Sequence, residues 1–485
     1  MDIIINYFTG RFGIFSIVLF FIFATLFAIR WGNRTFSVKT LNQIIFHLRV
    51  PMDGTDGGIF KDLFLNTFFQ SLFSVVIIMS ILLNFFYQFT YQNINLIMIL
   101  CIIALAIIAL FNYKIPQYIL CLVRHTNLYE EEYIDPRKVE LSFPKTKRNL
   151  IHIVLESVET TYLDINNGGG LDINYMPELT DLANNNINFS NRNNNGGPLP
   201  VEGTQWTIAS QVAQSAGVPL LLYPNSKKYD ESSTFFPGLY SLGDVLKKEG
   251  YNNEIIMGSD SSFGCTKNYY QQHGNYYILD HMQAIKEKRL PEDYHVFWGF
   301  EDKKVFEFAR NDIDKLSKKD KPFNIEIVTI DTHTPDGYVC DECENKYDKQ
   351  YANVISCQSK MVYNFVMWAK KQDWYSNTTI MITGDHNSMS EKFFEGMDKN
   401  YVRTPYNCFI NSAVEPINSK NRQFATFDYY PTLLASMGVN IKGDRLGLGV
   451  NLFSDQQTLM EKYGYKKLNN EIKKTSTFYN QEIIK

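Results

Sequence analysis

Three long apolar runs near the start of the chain limit what it can fold into. They cover residues 12–29, roughly 64–86, and 94–111. Each approaches the ~20 residues that a helix needs to cross a bilayer. The first is not a cleavable leader, because no small-residue cleavage site follows it and further apolar runs do. Three such runs so close together read as membrane spans rather than core helices. The rest of the 485-residue chain is polar enough for a separate soluble region. A net charge of -4 gives no basic footprint, so nucleic acid is not expected as a partner.

Three spans put the C-terminal region on the opposite side of the membrane from the N-terminus. The loop between the first two runs carries Arg30, Arg34, Lys39, Arg49 and Lys61. Counting positive charge would make that loop cytoplasmic, and the C-terminal region with it. Residues 113–128 place Ile115, Ile119, Leu122 and Val123 on one side, as in a helix lying on a membrane surface. The division expected is a membrane region at 1–128, a charged linker at 129–148 with Pro136 and Pro144, a catalytic domain at 149–455, and a tail at 456–485.

From Asn149 onward, short apolar runs alternate with helical patterns. The runs are residues 149–155, 253–257, 323–330 and 378–383. The helical patterns are 176–184, 204–216, 240–249, 351–371 and 428–437. This alternation predicts an α/β domain with a largely parallel sheet covered on both faces. Ligand sites in such sheets lie beyond the carboxyl ends of the strands. Glu156, His333 and the adjacent Asp385 and His386 all follow predicted strands. Alone, each is more often a helix-start carboxylate or a turn residue; at three ends of one sheet they suggest a site.

The stretch GTQWTIASQVAQSAGVP, residues 203–219, reads as a helix with Thr204 as its N-cap. The free N–H groups at such a helix start attract anions. Glu156, Asp385, His386 and the Thr204 oxygen form a candidate ligand set for one divalent ion. Zinc or manganese suits these donors, and magnesium fits less well. A metal also answers the weakness of a threonine hydroxyl as a nucleophile. His333 is a candidate to touch a phosphoryl oxygen or protonate a leaving alcohol. Lys267 is a candidate phosphate contact, with an ordinary solvated lysine as the plain alternative. The Asn-rich residues 184–195 read as a polar loop leading to Thr204. Of seven cysteines, Cys340 and Cys343 form a C-x-x-C pair. A zinc site would ordinarily take a second such pair, which is missing, so a disulfide from Cys357 to one of the two is expected if the region is exported.

Several stretches carry a family resemblance: HIVLESVE at 152–159, TQWTIASQVAQSAGVPL at 204–220, FWGFEDKKVF at 297–306, TIDTHTPDG at 329–337, ITGDHNSM at 382–389, and FDYYPTLLASMG with GDRLGLGVNLFS between 427 and 454. In this order they resemble the alkaline-phosphatase and sulfatase superfamily. Within it they are most similar to the membrane-anchored phosphoglycerol transferases of osmoregulated periplasmic glucans. They are also similar to lipoteichoic acid synthase and the lipid A phosphoethanolamine transferases. The stretch IIFHLRVPMDGTDGG at 44–58 resembles a loop between the first spans of the glucan-type members.

The resemblance implies metal ligation by Glu156, Thr204, Asp385 and His386, a covalently modified Thr204 rather than Thr207, and substrate phosphate held by His333. Where lipoteichoic acid synthases set a Trp and an Arg against the headgroup, this chain offers residues 264–267, with Lys267 the one charge. The implied reaction moves phosphoglycerol from phosphatidylglycerol, through an ester on Thr204, to a periplasmic or surface glycan. The implied location is a bacterial inner membrane, crossed several times, with the catalytic domain in the periplasm or outside. That orientation opposes the charge count of the first loop, whose basic residues would then contact anionic lipid. A phosphoethanolamine transferase is the alternative. A sulfatase or phosphodiesterase is a further one, although the Cys/Ser-x-Pro-x-Arg setting of sulfatases is absent around Thr204. A degenerate membrane sensor is disfavoured by the complete ligand set.

Overall fold

Apolar side chains drive two different assemblies in this chain. The computed structural model describes residues 10–36, 41–52, 57–112 and 114–485. Lys39, residues 53–56 of the resembled loop, and Tyr113 lie outside the described residues. One compact unit takes Met1–Leu41 and Thr55–Leu120, and the other takes Asn42–Gly54 and Cys121–Lys485.

In the first unit, three helices are long and apolar enough to cross a membrane: Arg11–Gly32, Gly57–Phe85 and Tyr87–Asn112. They meet over Phe12, Phe15, Leu19, Val75, Met79 and Ile94. Large side chains on the other faces stay exposed, among them Phe21, Phe73, Ile99 and Leu100. A bundle that is apolar outside as well as inside suits lipid. Its hydroxyls turn back on their own helices: Ser16 donates to the Phe12 carbonyl at 2.8 Å and Ser74 to that of Gln70 at 2.7 Å. Such bonds pair these hydroxyls in an apolar medium, whereas the Thr90 hydroxyl is buried with no partner among the described residues. A helix forms at Ile115–Val123, within the stretch expected to lie on a membrane surface.

The second unit is built on six strands: β1 (Asn149–Leu155), β2 (Asn252–Met257), β3 (Tyr277–Leu279), β4 (Phe323–Val328), β5 (Thr378–Gly384) and β6 (Asn407–Ile410). Their order across the sheet is β3-β2-β4-β1-β5-β6. All neighbours run parallel except β5 and β6, so the largely parallel expectation holds with one antiparallel edge. Strands β3 and β6 are three and four residues long, too short to show a period in sequence.

Alternation along β1 sends Ile151, Ile153 and Leu155 to one face and Leu150 and Val154 to the other. The first face packs on the helices Pro177–Asn185, Asp302–Leu316 and Gln350–Ala369, which bring Leu179, Phe306, Ala309, Ile355 and Val362. The second packs on Thr207–Ala216, Leu242–Lys248 and Tyr429–Ser436, through Val212, Leu246 and Leu433. A sheet buried on both faces accounts for strands that read as unbroken apolar runs.

Two segments set aside in the sequence belong to this unit. Residues 129–148 are folded in: Tyr129 is fully buried, and Glu132 pairs with Arg445 at 3.1 Å. Residues 456–485 bury Leu468, Ile472, Tyr479 and Ile483. The Tyr479 hydroxyl donates to the Pro219 carbonyl at 2.6 Å and accepts from the Leu221 N–H at 3.0 Å. The short piece Asn42–Gly54, lying between two membrane helices in sequence, packs here as well.

Candidate active site

Parallel pairing sets the core of the site. Leu155 lies opposite Gly384 in the β1–β5 register, so Glu156 and Asp385 leave the sheet side by side. The two exits touch closely. A Cβ on Gly384 would sit 1.8 Å from the Val158 carbonyl oxygen, so only glycine fits there. Ser157 takes φ +56°, a left-handed conformation that a side chain disfavours. Its N–H donates to Asp385 Oδ1 at 2.7 Å and its hydroxyl to Glu156 Oε1 at 2.6 Å. The His386 N–H donates to the same Asp385 Oδ1 at 2.7 Å.

The ligand atoms of Glu156, Asp385 and His386 all lie within 4.8 Å of one another, and all three residues are buried. His386 Nε2 is 3.3 Å from Asp385 Oδ2 and 3.7 Å from Glu156 Oε1. His386 Nδ1 lies 3.0 Å from the Asn387 carbonyl, which can only accept, so the proton sits on Nδ1 and the Nε2 lone pair faces the carboxylates. Asp385 Oδ2 is buried with no hydrogen-bond donor among the described residues. A buried carboxylate oxygen without a donor, beside a second carboxylate and an imidazole nitrogen, fits one divalent cation.

Electrostatics agree with that fit. Burial, followed by the charge of Glu156, pushes Asp385 up to about 8. Burial also works to raise Glu156, but His386 and His333 outweigh it and hold the group below its ordinary value. Burial opposes charge on His386, yet Asp385 and Glu156 raise it overall. Without a cation the site compensates two buried carboxylates by holding protons.

The threonine stretch departs from expectation. The helix begins at Thr207, not Thr204, with Trp206 in the extended N-cap position. Gly203 at φ +76° turns the chain, and Thr204 closes that turn by donating from Oγ1 to the Val201 carbonyl at 2.9 Å. Thr204 is buried but makes no hydrogen bond to the cluster. Thr207 does: its Oγ1 donates to Glu156 Oε2 at 3.1 Å. Ser210, one turn on, donates to the Asp385 carbonyl at 2.5 Å and ties the helix to the same strand end. A glycine before Thr204 suits a turn as well as a helix start, so the sequence does not separate the two.

His333 follows β4, packs at a tilt against Trp298 with ring centroids 4.6 Å apart, and acts electrostatically on Glu156. Lys267 sits half-buried near the start of the short Thr266–Gln272 helix, and no ion pair of its Nζ occurs among the described residues. The structure does not bring it into hydrogen-bond contact with the cluster.

Other contributors were not among the candidate site residues, although Phe46, His47 and Trp298 lie in stretches that carry the resemblance. Arg403 pairs with Glu159 through two hydrogen bonds, at 2.8 and 2.5 Å, and Glu159 also accepts from the Ser388 N–H at 3.0 Å. This clamps the loop after His386 onto the β1 exit. A chain of rings runs from Trp298 to Phe263 at 6.0 Å, Phe263 to His47 at 5.8 Å, His47 to Phe46 at 5.4 Å, and Phe46 to Trp206 at 5.3 Å. It links the residue beside His333 to the residue before Thr207. Its middle comes from the Leu41–Arg49 helix, whose Asn42 donates to Glu202 at 3.0 Å, while the Pro51 carbonyl accepts from Gly264 N–H at 3.1 Å. Burial pushes His47 down to about 4, so its ring is neutral.

Residues 148–439, more than half of the chain, match the protein family described as Sulfatase. The chain belongs to the sulfatase family. Its relatives include phosphoglycerol transferase I of Citrobacter koseri, 32% identical over 280 residues, and that of Salmonella typhimurium, 31% identical over the same length. Each match spans 55% of this chain but 34% of the relative, about a third of its length. Among solved structures, lipoteichoic acid synthase LtaP of Listeria monocytogenes is similar in fold, with a TM-score of 0.50, 15% identity, and 65% of this chain and 79% of that one covered. The sulfatase-family domain therefore has a mixed α/β fold in common with LtaP.

Proposed function

We propose that this chain is a membrane-anchored, metal-dependent phosphotransferase that moves phosphoglycerol from phosphatidylglycerol to a glycan through an ester on Thr207. The observation that carries this reading is the 3.1 Å bond from Thr207 Oγ1 to Glu156, at the edge of the Glu156, Asp385 and His386 cluster. Phosphoglycerol is taken from the named relatives, and the glycan acceptor from the family resemblance. Thr207 replaces Thr204 as the nucleophile because Thr204 is engaged with Val201.

Glu156, Asp385 and His386 would hold the cation, with Thr207 beside them. When bound, the cation supplies positive charge that lowers the cost of ionising a threonine and of building charge on phosphorus. The chain's own residues do the rest. The first N–H groups of the Thr207–Ala216 helix, which lack intrahelical partners, face an anion at Thr207. Thr207 Oγ1 passes its proton to Glu156 and forms a bond to phosphorus, and the bond from phosphorus to the diacylglycerol oxygen breaks. His333 gives that oxygen its proton. A glycan hydroxyl then gives its proton to His333 and attacks phosphorus, the ester bond breaks, and Thr207 takes its proton back from Glu156.

The membrane anchor keeps this site near a substrate that stays in the bilayer. With three crossings, the loop after the first span and the domain after the third share one side of the membrane. The packing of Asn42–Gly54 into the catalytic unit fits that arrangement. The placement outside the cytoplasm rests on the family resemblance. The full chain in mixed micelles with headgroup-labelled phosphatidylglycerol and an oligosaccharide acceptor tests the function. Label on the oligosaccharide, lost in Glu156→Gln, supports it. Transfer from phosphatidylethanolamine alone, or release of free phosphate ester with no transfer, would replace it with an ethanolamine transferase or a hydrolase.

A further inference from the structure

Away from the site just described, Cys340, Cys343 and Cys357 form a second cluster, with all three sulfurs within 4.8 Å of one another. Cys340 Sγ lies 3.6 Å from Cys343 Sγ and 3.9 Å from Cys357 Sγ. No disulfide joins cysteines among the described residues, contrary to the pairing expected from the sequence. A disulfide would bring two sulfurs to about 2.05 Å and leave the third thiol unused. Three thiolates around one ion, each at about 2.3 Å from it, stand roughly 3.8–4.0 Å apart. The spacing here is that of ligands.

The local backbone is suited to the task. Cys343 N–H donates to the Cys340 carbonyl at 3.1 Å, a tight turn that aims both sulfurs the same way. The third sulfur comes from the Gln350–Ala369 helix. Cys340 and Cys357 are buried and Cys343 is half-buried, so one side of the cluster opens towards solvent. No second C-x-x-C pair is needed, because the third ligand arrives from a helix, fourteen residues beyond Cys343 in sequence.

We propose that Cys340, Cys343 and Cys357 bind one zinc ion as thiolates, with a fourth position on the solvent side of Cys343. Binding displaces the thiol protons to solvent, and no redox step is involved. The ion ties the segment after β4 to the helix that supports it. That helix already grips the segment near His333: Tyr351 donates to the Thr332 carbonyl at 2.9 Å, and Gln358 donates to Thr329 at 3.0 Å and Thr332 at 3.1 Å. The zinc extends this grip to the far end of the loop that carries His333.

The test uses the full chain in detergent, carrying Glu156→Gln and Asp385→Asn so that the other cluster does not contribute metal. Elemental analysis is expected to find about one zinc per chain, lost when Cys340→Ser and Cys343→Ser are added. In parallel, cells making the unmutated chain are quenched in acid, denatured with chelator and alkylated without reductant. All three cysteines should be alkylated. A disulfide-linked peptide joining any two of them, or zinc content unchanged by the serine variants, overturns the proposal. The alkylation arm decides even if the serine variants fail to fold.

Discussion

The site has two halves built in different ways. Glu156, Asp385 and His386 project from adjacent strand ends whose register is set by seven paired positions. Their geometry is as firm as the sheet, down to a glycine contact that admits no side chain. The facing half has no such frame. Thr207, His333, Trp298, Phe263 and His47 come from five segments, including one between two membrane helices in sequence, and meet through rings and loops. A sheet can present ligands for a cation with little help. The proposed nucleophile and the rings around it depend on long-range packing.

The sharpest break between the halves is at the two threonines. Thr207→Ala removes the proposed nucleophile, and turnover is expected to fall by at least ~1000-fold. Thr204→Ala removes a turn bond, and turnover should stay within about tenfold, with a stability loss near 1 kcal/mol. Steady-state transfer assays and melting curves separate the two. The next largest effect tests the framed half. Arg403→Ala leaves Glu159, fully buried, without its cation, and a loss of about 3–5 kcal/mol is expected in chemical unfolding. Arg403→Lys should recover only part of it, because an ammonium cannot reproduce the paired contact.

Phe46→Ala probes the assembled half. Phe46 is fully buried against Trp206, so about 3 kcal/mol should be lost from the catalytic unit. Its KM for phospholipid should rise while Glu156, Asp385 and His386 still take up metal. Metal uptake falling as KM rises would mean that the halves are not independent.

The smallest effect is a pH dependence under the strand ends. Burial lifts Glu326 in β4 from an ordinary 4.5 to about 7, against the hydrogen bond from Tyr270. A carboxyl whose pKa is raised by folding favours the folded state while protonated. That contribution is complete below the unfolded value and is lost as pH rises through about 7. It amounts to at most about 3 kcal/mol. Glu326→Gln should therefore flatten the fall in melting temperature between about pH 5 and about pH 8.

The same division governs how much could be read from the sequence. The strand ends were legible because a buried strand announces itself as an apolar run, and the residue after it is at the sheet edge by construction. The helix start was less legible: Thr204 and Thr207 sit in one helical pattern, and nothing local in the sequence marks that the helix begins at Thr207. Phe46, His47 and Arg403 reach the site from about 160, 160 and 200 residues away from Thr207 in sequence, and no periodicity encodes such contacts. Residues 456–485 looked like a tail because their apolar positions are sparse. Packed, they bury Tyr479 against the carbonyl that follows the Thr207–Ala216 helix.

The central claim is that the strand-end cluster and Thr207 form one catalytic site. Peptide mapping by mass spectrometry, after the full chain meets phosphatidylglycerol without acceptor, tests it most directly. The account predicts a phosphoglycerol ester on Thr207, absent from the Asp385→Asn variant. An ester on Thr204, or on Thr207 with equal yield in that variant, would contradict it.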